Sequence, residues 1–289
     1  MKKTIAIKKF GLQDCILMKK STSRLGGQIL QLKKQNGEIV FLKSGRGIAA
    51  ESLFREKNAL GWLENKQLIV PKVLNFFEDK NGGTKYLLLT SLRGFAAQKV
   101  ADLNKEEVLR ISAVALREFH SVSMNGSNNL RTLDDDLSHI QKCLKFNLIK
   151  RKNFLKANEG KMPEDVYSYL IRMKDNFSKS VMVHGDYCLP NIMITKDGYG
   201  FIDLSDCGPG DPYKDFSAME VSITRNFGSV WINTFYKYYG GVKKVNKFKI
   251  EYYQLIDQFG YHLDSAKYLK FFNTSVHNNE QSSYPDHIT

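Results

Sequence analysis

The sequence predicts an α+β protein in which a small antiparallel sheet with one helix precedes a larger, mainly helical part. Two runs rich in β-forming residues, QILQLKK and EIVFLK, flank an Asn36-Gly37 turn, which is the strongest short signal for a β-hairpin. Beyond residue 104 the apolar residues instead recur at helical spacing. The chain has 289 residues, of which 42% are hydrophobic, so it can bury one or two cores.

The first part, which we place at residues 1–91, is expected to be a small sheet with one helix. Leu53, Leu60 and Leu63 lie at helical spacing and predict one buried helix face. The last strand-like run stops at small and polar residues in 91–94, which predicts a hinge. After the hairpin, the predicted elements are a helix near 49–66 and extended segments at 68–74 and 86–90.

The second part, residues 92–273, is expected to be mainly helical, with short strands around a polar loop. Asp211-Pro212 predicts the start of one helix, because Asp is a favoured cap and Pro fits the first helical position. A polar tail, residues 274–289, is expected to fray. The other predicted elements are helices over 106–122, 133–156 and 163–176 and strands at 181–183, 192–194 and 200–204.

The composition argues against several classes of protein. No window holds about 18 uninterrupted apolar residues, so we expect no transmembrane helix and no membrane partner. The start, MKKTIAIKK, has an apolar run too short for a signal peptide, and we therefore expect a cytoplasmic protein. The cysteines lie far apart without a CxxC pair, which argues against a zinc site or a disulfide framework.

The net charge of +13 raises the question of an anionic partner such as nucleic acid. The lysine doublets are scattered along the chain and are not collected with aromatic residues on one element. A lysine-rich surface explains this pattern, so we do not expect a nucleic-acid partner. No feature of the sequence indicates an oligomeric state.

Polar residues interrupt two apolar, strand-like runs in the stretch VMVHGDYCLPNIMI, residues 181–194. Gly185 permits a tight turn that would lift Asp186 out of the core, and Asn191 begins the second run. Asp203 ends the later apolar run GFID, and the intervening Lys-Asp-Gly turn would fold it back beside Asn191. Two carboxylates and one amide would then meet at the same edge.

Oxygen ligands in such a place suit Mg²⁺, which binds one or two carboxylates together with substrate phosphates. We expect Asn191 and Asp203 to be these ligands, and Asp186 to accept the proton of a hydroxyl. Phosphoryl transfer needs this division between a metal on the phosphates and a carboxylate that orients the nucleophile. A lone His-Gly-Asp would indicate no more than a turn, so the combination supports the prediction.

The first part supplies an independent indication of the same chemistry. Lys43 lies near the end of the strand EIVFLK, and Glu56 follows in the predicted helix. A strand lysine held by a helix glutamate anchors the nucleotide in kinase-like folds. Lys43 alone would more often be a surface lysine, so its order with Glu56 and the later polar residues matters.

The sequence resembles the aminoglycoside phosphotransferase family, and within it the 3′-phosphotransferases. HGDYCLPNIMI followed by GFIDLSDCGPGDPYKD is similar to the family's paired motifs. FLKSG is similar to the strand with the nucleotide lysine, LFREKNALGWLENKQLIVPKVL to the helix with the glutamate, and ALREFHSV to the helix that opens the second lobe. The resemblance covers roughly residues 28–259.

This resemblance implies a two-lobed, protein-kinase-like fold with ATP in the cleft. It implies that Asp186 is the catalytic base and that Asn191 and Asp203 bind Mg²⁺. It further implies that Lys43 contacts the ATP phosphates and that Glu56 positions Lys43. By the same resemblance, Ser91 and Leu92 form the adenine-binding hinge, and His184, Asp211 and Asp215 support the catalytic loop.

The sequence departs from the family pattern mainly on the acceptor side. The segment 142–156 has six basic residues and no acid, where the family has an acid-rich loop. Asp206 stands where a basic residue is usual, and it joins Glu159 and Asp257 as an expected acceptor-side carboxylate. The glycine-rich loop, SRLGGQIL, replaces a Ser-x-Ala pattern. A lysine-rich lid would repel a polycationic acceptor unless its side chains point away from it.

These observations leave three functional hypotheses. The first is an ATP- and Mg²⁺-dependent O-phosphotransferase of a small hydroxylated molecule, an aminoglycoside antibiotic 3′-phosphotransferase that confers resistance. The second is a kinase of a less cationic acceptor, such as another antibiotic, a sugar or a nucleoside. The third is a non-catalytic nucleotide-binding or nucleic-acid-binding module, which the intact set of acids and amide disfavours.

Overall fold

The computed structural model describes residues 2–79, 82–100, 104–196, 198–241, 245–264 and 266–268. The predicted polar tail at 274–289 lies outside these ranges, as does Asp197 in the turn expected before GFID. The α+β fold class is confirmed, because an antiparallel sheet dominates the first part and helices dominate the second. Within the described ranges, every helix is too short or too polar to cross a bilayer.

The sheet of the first part is antiparallel, and its strands lie in the order β1-β2-β3-β5-β4. The predicted hairpin is confirmed as β2 and β3, with Leu30 opposite Leu42. Gly37 has a φ of 85° in the turn between them, a value that suits glycine. The strands are β1 (Ile16–Thr22), β2 (Gln28–Lys33), β3 (Ile39–Arg46), β4 (Val73–Asp79) and β5 (Thr84–Thr90).

Two helices accompany this sheet, α1 (Lys2–Lys9) and α2 (Ile48–Leu63). The sequence predicted α2, whose Leu53, Leu60 and Leu63 are all buried. It did not predict α1 or β1. Ala6 of α1 joins a small apolar cluster with residues of β2, β3 and β5.

Three predicted elements differ from the structure. The strand expected at 200–204 already ends at Phe201, and Asp203 has a left-handed φ of 59°. The strand expected at 68–74 begins only at Val73, after Pro71, which lacks an N–H group to donate. The helix expected over 133–156 is two helices, because Asn147 adopts a φ of 53° between them. Ile149 in this break pairs with Leu263.

The second part consists of helices around two short strand pairings. Strands β7 and β10 are antiparallel, and β8 pairs with both β6 and β9. The strands are β6 (Phe95–Ala96), β7 (Val181–Val183), β8 (Ile192–Thr195), β9 (Gly198–Phe201) and β10 (Gly208–Gly210). The helices are α3 (Lys105–His120), α4 (Leu133–Lys145), α5 (Arg151–Ala157), α6 (Pro163–Met173), α7 (Tyr213–Asn226), α8 (Ile232–Gly240) and α9 (Lys247–Tyr261).

The largest apolar core joins the two parts. Leu63 of α2 and Leu87 of β5 belong to the same buried cluster as Leu116 and Phe119 of α3 and Met219 of α7. Each of these side chains is fully buried, and burial of one such side chain contributes about 1.5–3 kcal/mol. The continuous core holds the sheet against the helical part and so fixes the cleft between them.

Candidate active site

The cleft between the sheet and the helical part contains the residues that the motifs singled out. A cavity of about 490 Å³ lies there and is lined from both sides. The structure brings together at this cavity the five motif residues Lys43, Glu56, Asp186, Asn191 and Asp203.

Lys43 connects the two sides of the cleft. Its Nζ lies 2.7 Å from Oε1 and 3.0 Å from Oε2 of Glu56, and it also forms an ion pair with Asp203. Glu56 is 3% exposed, so its carboxylate is positioned mainly by this pairing. Burial lowers the pKa of Lys43, but the Glu56 and Asp203 carboxylates raise it by more, and the net pKa is raised. The ammonium therefore keeps its charge at neutral pH.

The loop after β7 carries Asp186, and buried contacts hold its backbone in place. Gly185 has a φ of 88°, and a Cβ there would overlap the carbonyl oxygen of Asp206. The buried carboxylate of Asp215, in the first turn of α7, accepts hydrogen bonds from the backbone N–H groups of His184 and Gly185, both at 2.8 Å. These contacts fix the backbone immediately before Asp186.

His120 extends this support, and the sequence did not single it out. Its Nε2 lies 3.0 Å from Oδ2 of Asp215, and its Nδ1 lies 2.8 Å from the hydroxyl of Tyr239. Burial raises the pKa of Asp215, but its contacts with His120, His184 and the Gly185 N–H together lower it by more. The only available signal was the His in ALREFHSV, on a helix whose other face is apolar.

His184 and Asp211 occupy buried structural positions. The Nε2 atom of His184 lies 3.1 Å from the carbonyl oxygen of Ile202, and its ring is fully buried. Asp211 accepts a hydrogen bond from the Tyr213 N–H at 3.0 Å at the start of α7. It also accepts one from Nζ of Lys249 at 2.6 Å, which joins α7 to α9.

Asn191 is oriented by Asp186. Its Nδ2 donates to the carbonyl oxygen of Asp186 at 3.0 Å and to the Oδ2 atom at 3.1 Å. Because both partners are acceptors, the NH₂ group must face them, and Oδ1 faces the other way. Burial raises the pKa of Asp186, and the Asp206 and Asp203 carboxylates add to this. The carboxylate is therefore a stronger base than an ordinary aspartate.

Asp203 follows β9 with a left-handed φ of 59°. The N–H of Ile202 donates to the Asn191 carbonyl oxygen at 3.0 Å, so the two chain segments lie side by side. Partial desolvation raises the pKa of Asp203, but Lys43 lowers it by more. An ionised carboxylate and a free amide oxygen at one place fit the hard oxygen donors that Mg²⁺ prefers.

Ser91 and Leu92 lie at the connection after β5 and are not among the residues that line the cavity. The Ser91 N–H donates to the Ile39 carbonyl oxygen at 3.2 Å. The Leu92 side chain packs closely on Gly200. A Cβ added at Gly200 would lie only 2.8 Å from Cδ1 of Leu92. The connection is therefore held between β3 and β9, beside the cleft.

The three expected acceptor-side carboxylates are placed differently. Asp257 on α9 lines the cavity, and burial, followed by the Asp186 charge, raises its pKa to about 7. Asp206 also lines it. Glu159 is exposed in the turn between α5 and α6, with a φ of 53°, and is not among the lining residues.

Asp206 belongs to a network of ion pairs whose members line the same cavity. Its Oδ1 lies 3.3 Å from Nε of Arg131 and 3.7 Å from Nη2 of Arg55. Asp136 lies 2.5 Å from Nε of Arg131 and 2.8 Å from Nζ of Lys214. The cations of this network thus have carboxylate partners, and Asp206 is engaged with arginines as well as facing the cavity.

Comparison with known proteins agrees with this architecture. The model of the phosphotransferase enzyme family matches residues 29–251. A curated aminoglycoside 3′-phosphotransferase from Niallia circulans is 28% identical over 236 residues, which is 81% of this chain and 88% of that protein.

Two solved structures share the fold at 20% sequence identity. A type VIII aminoglycoside-3′-phosphotransferase superposes with a TM-score of 0.77. The match covers 90% of this chain and 98% of that protein's chain. An aminoglycoside phosphotransferase from Streptomyces rimosus, in complex with ADP and streptomycin, has a TM-score of 0.65 and covers 82% and 94%. At this identity the two structures establish the kinase-like fold. The family match spans most of the chain, and the protein therefore belongs to the phosphotransferase enzyme family.

Proposed function

We propose that this protein transfers the γ-phosphoryl group of ATP, in the presence of Mg²⁺, to the 3′-hydroxyl of an aminoglycoside antibiotic. The names of its curated relatives support this acceptor. The observation that carries the proposal is the meeting of Lys43, Glu56 and Asp203 with Asp186 and Asn191 around one cavity. A cytoplasmic location remains a prediction.

Lys43 is the group that would bind the nucleotide phosphates. Lys43 lies on β3, and its charged ammonium lies at the cavity wall. The Glu56 carboxylate holds the ammonium in this position. A fixed cation at this position favours the negative charge of a triphosphate without having to reorganise. ATP is thus oriented with its phosphates toward the loop that bears Asp186.

Asn191 and Asp203 would hold Mg²⁺ through Oδ1 of the amide and the carboxylate. When bound, the metal neutralises charge on the phosphates. Two contacts within the chain arrange these ligands. Asp186 accepts a hydrogen bond from the Asn191 NH₂ group, so the amide oxygen faces away from Asp186. Lys43 lowers the pKa of Asp203 and so keeps its carboxylate ionised.

Asp186 would act on the acceptor. Its carboxylate orients the attacking hydroxyl and accepts its proton as the new oxygen–phosphorus bond forms. The bond from the γ-phosphorus to the bridging oxygen breaks, and ADP leaves with that electron pair. A raised pKa suits this task, because a more basic carboxylate takes the proton more readily.

The test is a transfer assay with γ-labelled ATP and Mg²⁺ against a panel of acceptors. The panel pairs an aminoglycoside that bears a 3′-hydroxyl with its 3′-deoxy counterpart, and adds neutral sugars and nucleosides. We expect label only in the compound with the 3′-hydroxyl. Equal labelling of the 3′-deoxy compound would refute the position of transfer, and no labelling of any aminoglycoside would refute the acceptor.

A second candidate is a kinase of a less cationic acceptor. Arg24 and Arg225 line the same cavity as Asp257, so carboxylates do not dominate its charge. Asp257, with a pKa of about 7, is only partly ionised at neutral pH. Labelling of the neutral compounds in the panel, without labelling of aminoglycosides, is the result that this candidate predicts.

A further inference from the structure

The glycine-rich loop between β1 and β2 is a well-defined turn at the cleft. The Ser23 N–H donates to the Gly27 carbonyl oxygen at 2.7 Å, and the Gly27 N–H donates to Oγ of Ser23 at 3.0 Å. The Gly26 N–H donates to the Ser23 carbonyl oxygen at 2.9 Å. Arg24 is the charged residue of this turn, so its backbone lies at a defined place beside the cavity.

Arg24 reaches across the cleft to the other lobe. Its guanidinium carbon lies 4.9 Å from the centre of the Tyr261 ring, at the end of α9. A cation over an aromatic face contributes only about 0.5–1 kcal/mol at an exposed site, so this contact can be exchanged for a stronger one. The side chain also lines the cavity that contains Lys43 and Asp186.

Most cations around the cleft already have carboxylate partners. Lys43 forms ion pairs with Glu56 and Asp203, and Arg55 and Arg131, which line the same cavity, form ion pairs with Asp206. Among the residues that the structure describes, Arg24 and Arg225 line the cavity and form no ion pair within 4.0 Å, and of these two only Arg24 lies on the glycine-rich loop. Arg24 is therefore the one that this loop carries to the cleft. Its charge nevertheless lowers the pKa of Asp186 and of Asp257, against the larger effect of burial, so it acts on the place where the phosphoryl group would be transferred.

Lys43 already forms ion pairs with the Glu56 and Asp203 carboxylates. Its single positive charge therefore cannot balance the negative charge of a triphosphate. Phosphoryl transfer spreads negative charge over the three oxygens of the moving group, and an arginine supplied in cis can stabilise that charge. A guanidinium suits this task, because it presents a rigid fork of donors that matches phosphate oxygens.

We propose that Arg24 is a catalytic residue that binds the γ-phosphoryl group of ATP during its transfer, and that Tyr261 holds its side chain over the cleft before nucleotide binds. The proposal rests on the proposed ATP-dependent transfer. Arg24 donates hydrogen bonds to the oxygens of the moving group. No proton or bond is exchanged with it.

The test compares binding of two nucleotides, ADP and a non-hydrolysable ATP analogue that carries a γ-phosphate, each with Mg²⁺ and measured by calorimetry. The variants are Arg24→Ala, Arg24→Lys and the control Lys20→Ala, an exposed cation of β1 outside the cavity. We expect Arg24→Ala to weaken the ATP analogue about tenfold and to leave ADP unchanged. We expect kcat to fall about 100-fold or more, with partial recovery in Arg24→Lys.

A second variant separates this role from that of a clasp between the lobes. Tyr261→Leu removes the ring but keeps Arg24, so binding of the ATP analogue should stay within about twofold of the unaltered protein. The proposal is overturned if Arg24→Ala weakens ADP as much as the ATP analogue, if it weakens neither, or if Tyr261→Leu reproduces its effect.

The same data separate this inference from the proposed function. If the unaltered protein binds neither nucleotide, the ATP-dependent function fails, and the role of Arg24 fails with it. If the unaltered protein binds both nucleotides, and Arg24→Ala binds each of them as tightly as the unaltered protein does, only the role of Arg24 is refuted.

Discussion

The ammonium of Lys43 donates hydrogen bonds to both carboxylate oxygens of Glu56, at 2.7 and 3.0 Å. The two residues lie on different elements, β3 and α2, so the pair also ties the helix to the sheet at the wall of the cleft. Both side chains are largely buried, and a buried ion pair is costly to break from one side only.

Replacement of Glu56 by Gln tests this pair. The neutral amide keeps the shape but no longer balances the ammonium, so Lys43 should shift toward Asp203 and away from the nucleotide phosphates. We expect kcat/KM for ATP to fall about tenfold or more, which corresponds to a loss of about 1.4 kcal/mol or more. Glu64→Gln, at the exposed end of the same helix, is the matched control and should keep normal ATP kinetics.

Asp215 should be needed for both stability and turnover. It accepts hydrogen bonds from the N–H groups of His184 and Gly185, and Asp215→Asn would turn one acceptor into a donor against them. We expect the free energy of unfolding to fall by about 2–4 kcal/mol, measured by urea denaturation, together with a loss of kcat. Asp165→Asn, an exposed residue at the start of α6, should change neither, and an unaltered urea midpoint for Asp215→Asn would contradict this role.

The turn before Asp186 should require glycine for two separate reasons. Gly185 and Gly37 have nearly equal φ values, 88° and 85°, but a Cβ at Gly185 would overlap Asp206, whereas a Cβ at Gly37 meets nothing within 4 Å. We expect Gly37→Ala to cost about 1–2 kcal/mol of stability and Gly185→Ala about 3 kcal/mol or more, with loss of turnover. Equal costs in thermal unfolding would contradict the close approach to Asp206.

Asp257 should make stability depend on pH. Its pKa is about 7 in the folded protein and 3.8 as an ordinary aspartate, so between these values the folded state holds a proton that the unfolded state has released. The free energy of unfolding therefore falls as the pH rises from about 4 to 7. Asp257→Asn removes this dependence and should be the more stable protein at pH 8, by about 1 kcal/mol or more.

The measurement is the difference in melting temperature between Asp257→Asn and the unaltered protein at pH 5 and at pH 8. We expect a difference about 2–4 °C larger at pH 8, which is the shift that about 1 kcal/mol produces in a chain of this size. Asp165→Asn serves again as the exposed control. A difference that is the same at both pH values would show that Asp257 titrates normally.

The sequence predicted the central part of the site because local rules determine it. Asn191 and Asp203 flank the β8–β9 hairpin, in which Ile192 lies opposite Phe201, so the pairing brings the two together as expected. Lys43 and Glu56 likewise pair as predicted, because a strand lysine followed by a glutamate in the next helix is the arrangement of kinase-like folds.

The rest of the site depends on contacts between residues far apart in the chain. Arg131 and Asp206 pair across 75 positions, and His120 and Asp215 across 95, and a single sequence does not identify such partners. Glu159 was expected on the acceptor side, yet it is exposed in a turn and does not line the cavity. Spacing in the sequence could not show this, because the predicted helix is broken at Asn147, before the chain reaches Glu159.

The catalytic role of Asp186 is tested most directly by the turnover of Asp186→Asn, measured beside its affinity for ATP. We expect kcat to fall about 10²–10⁴-fold, because the carboxylate that accepts the hydroxyl proton is lost. The dissociation constant for ATP should change by no more than about threefold, because Lys43 and Asp203 remain in place. Turnover equal to that of the unaltered protein would refute Asp186 as the base that accepts the hydroxyl proton.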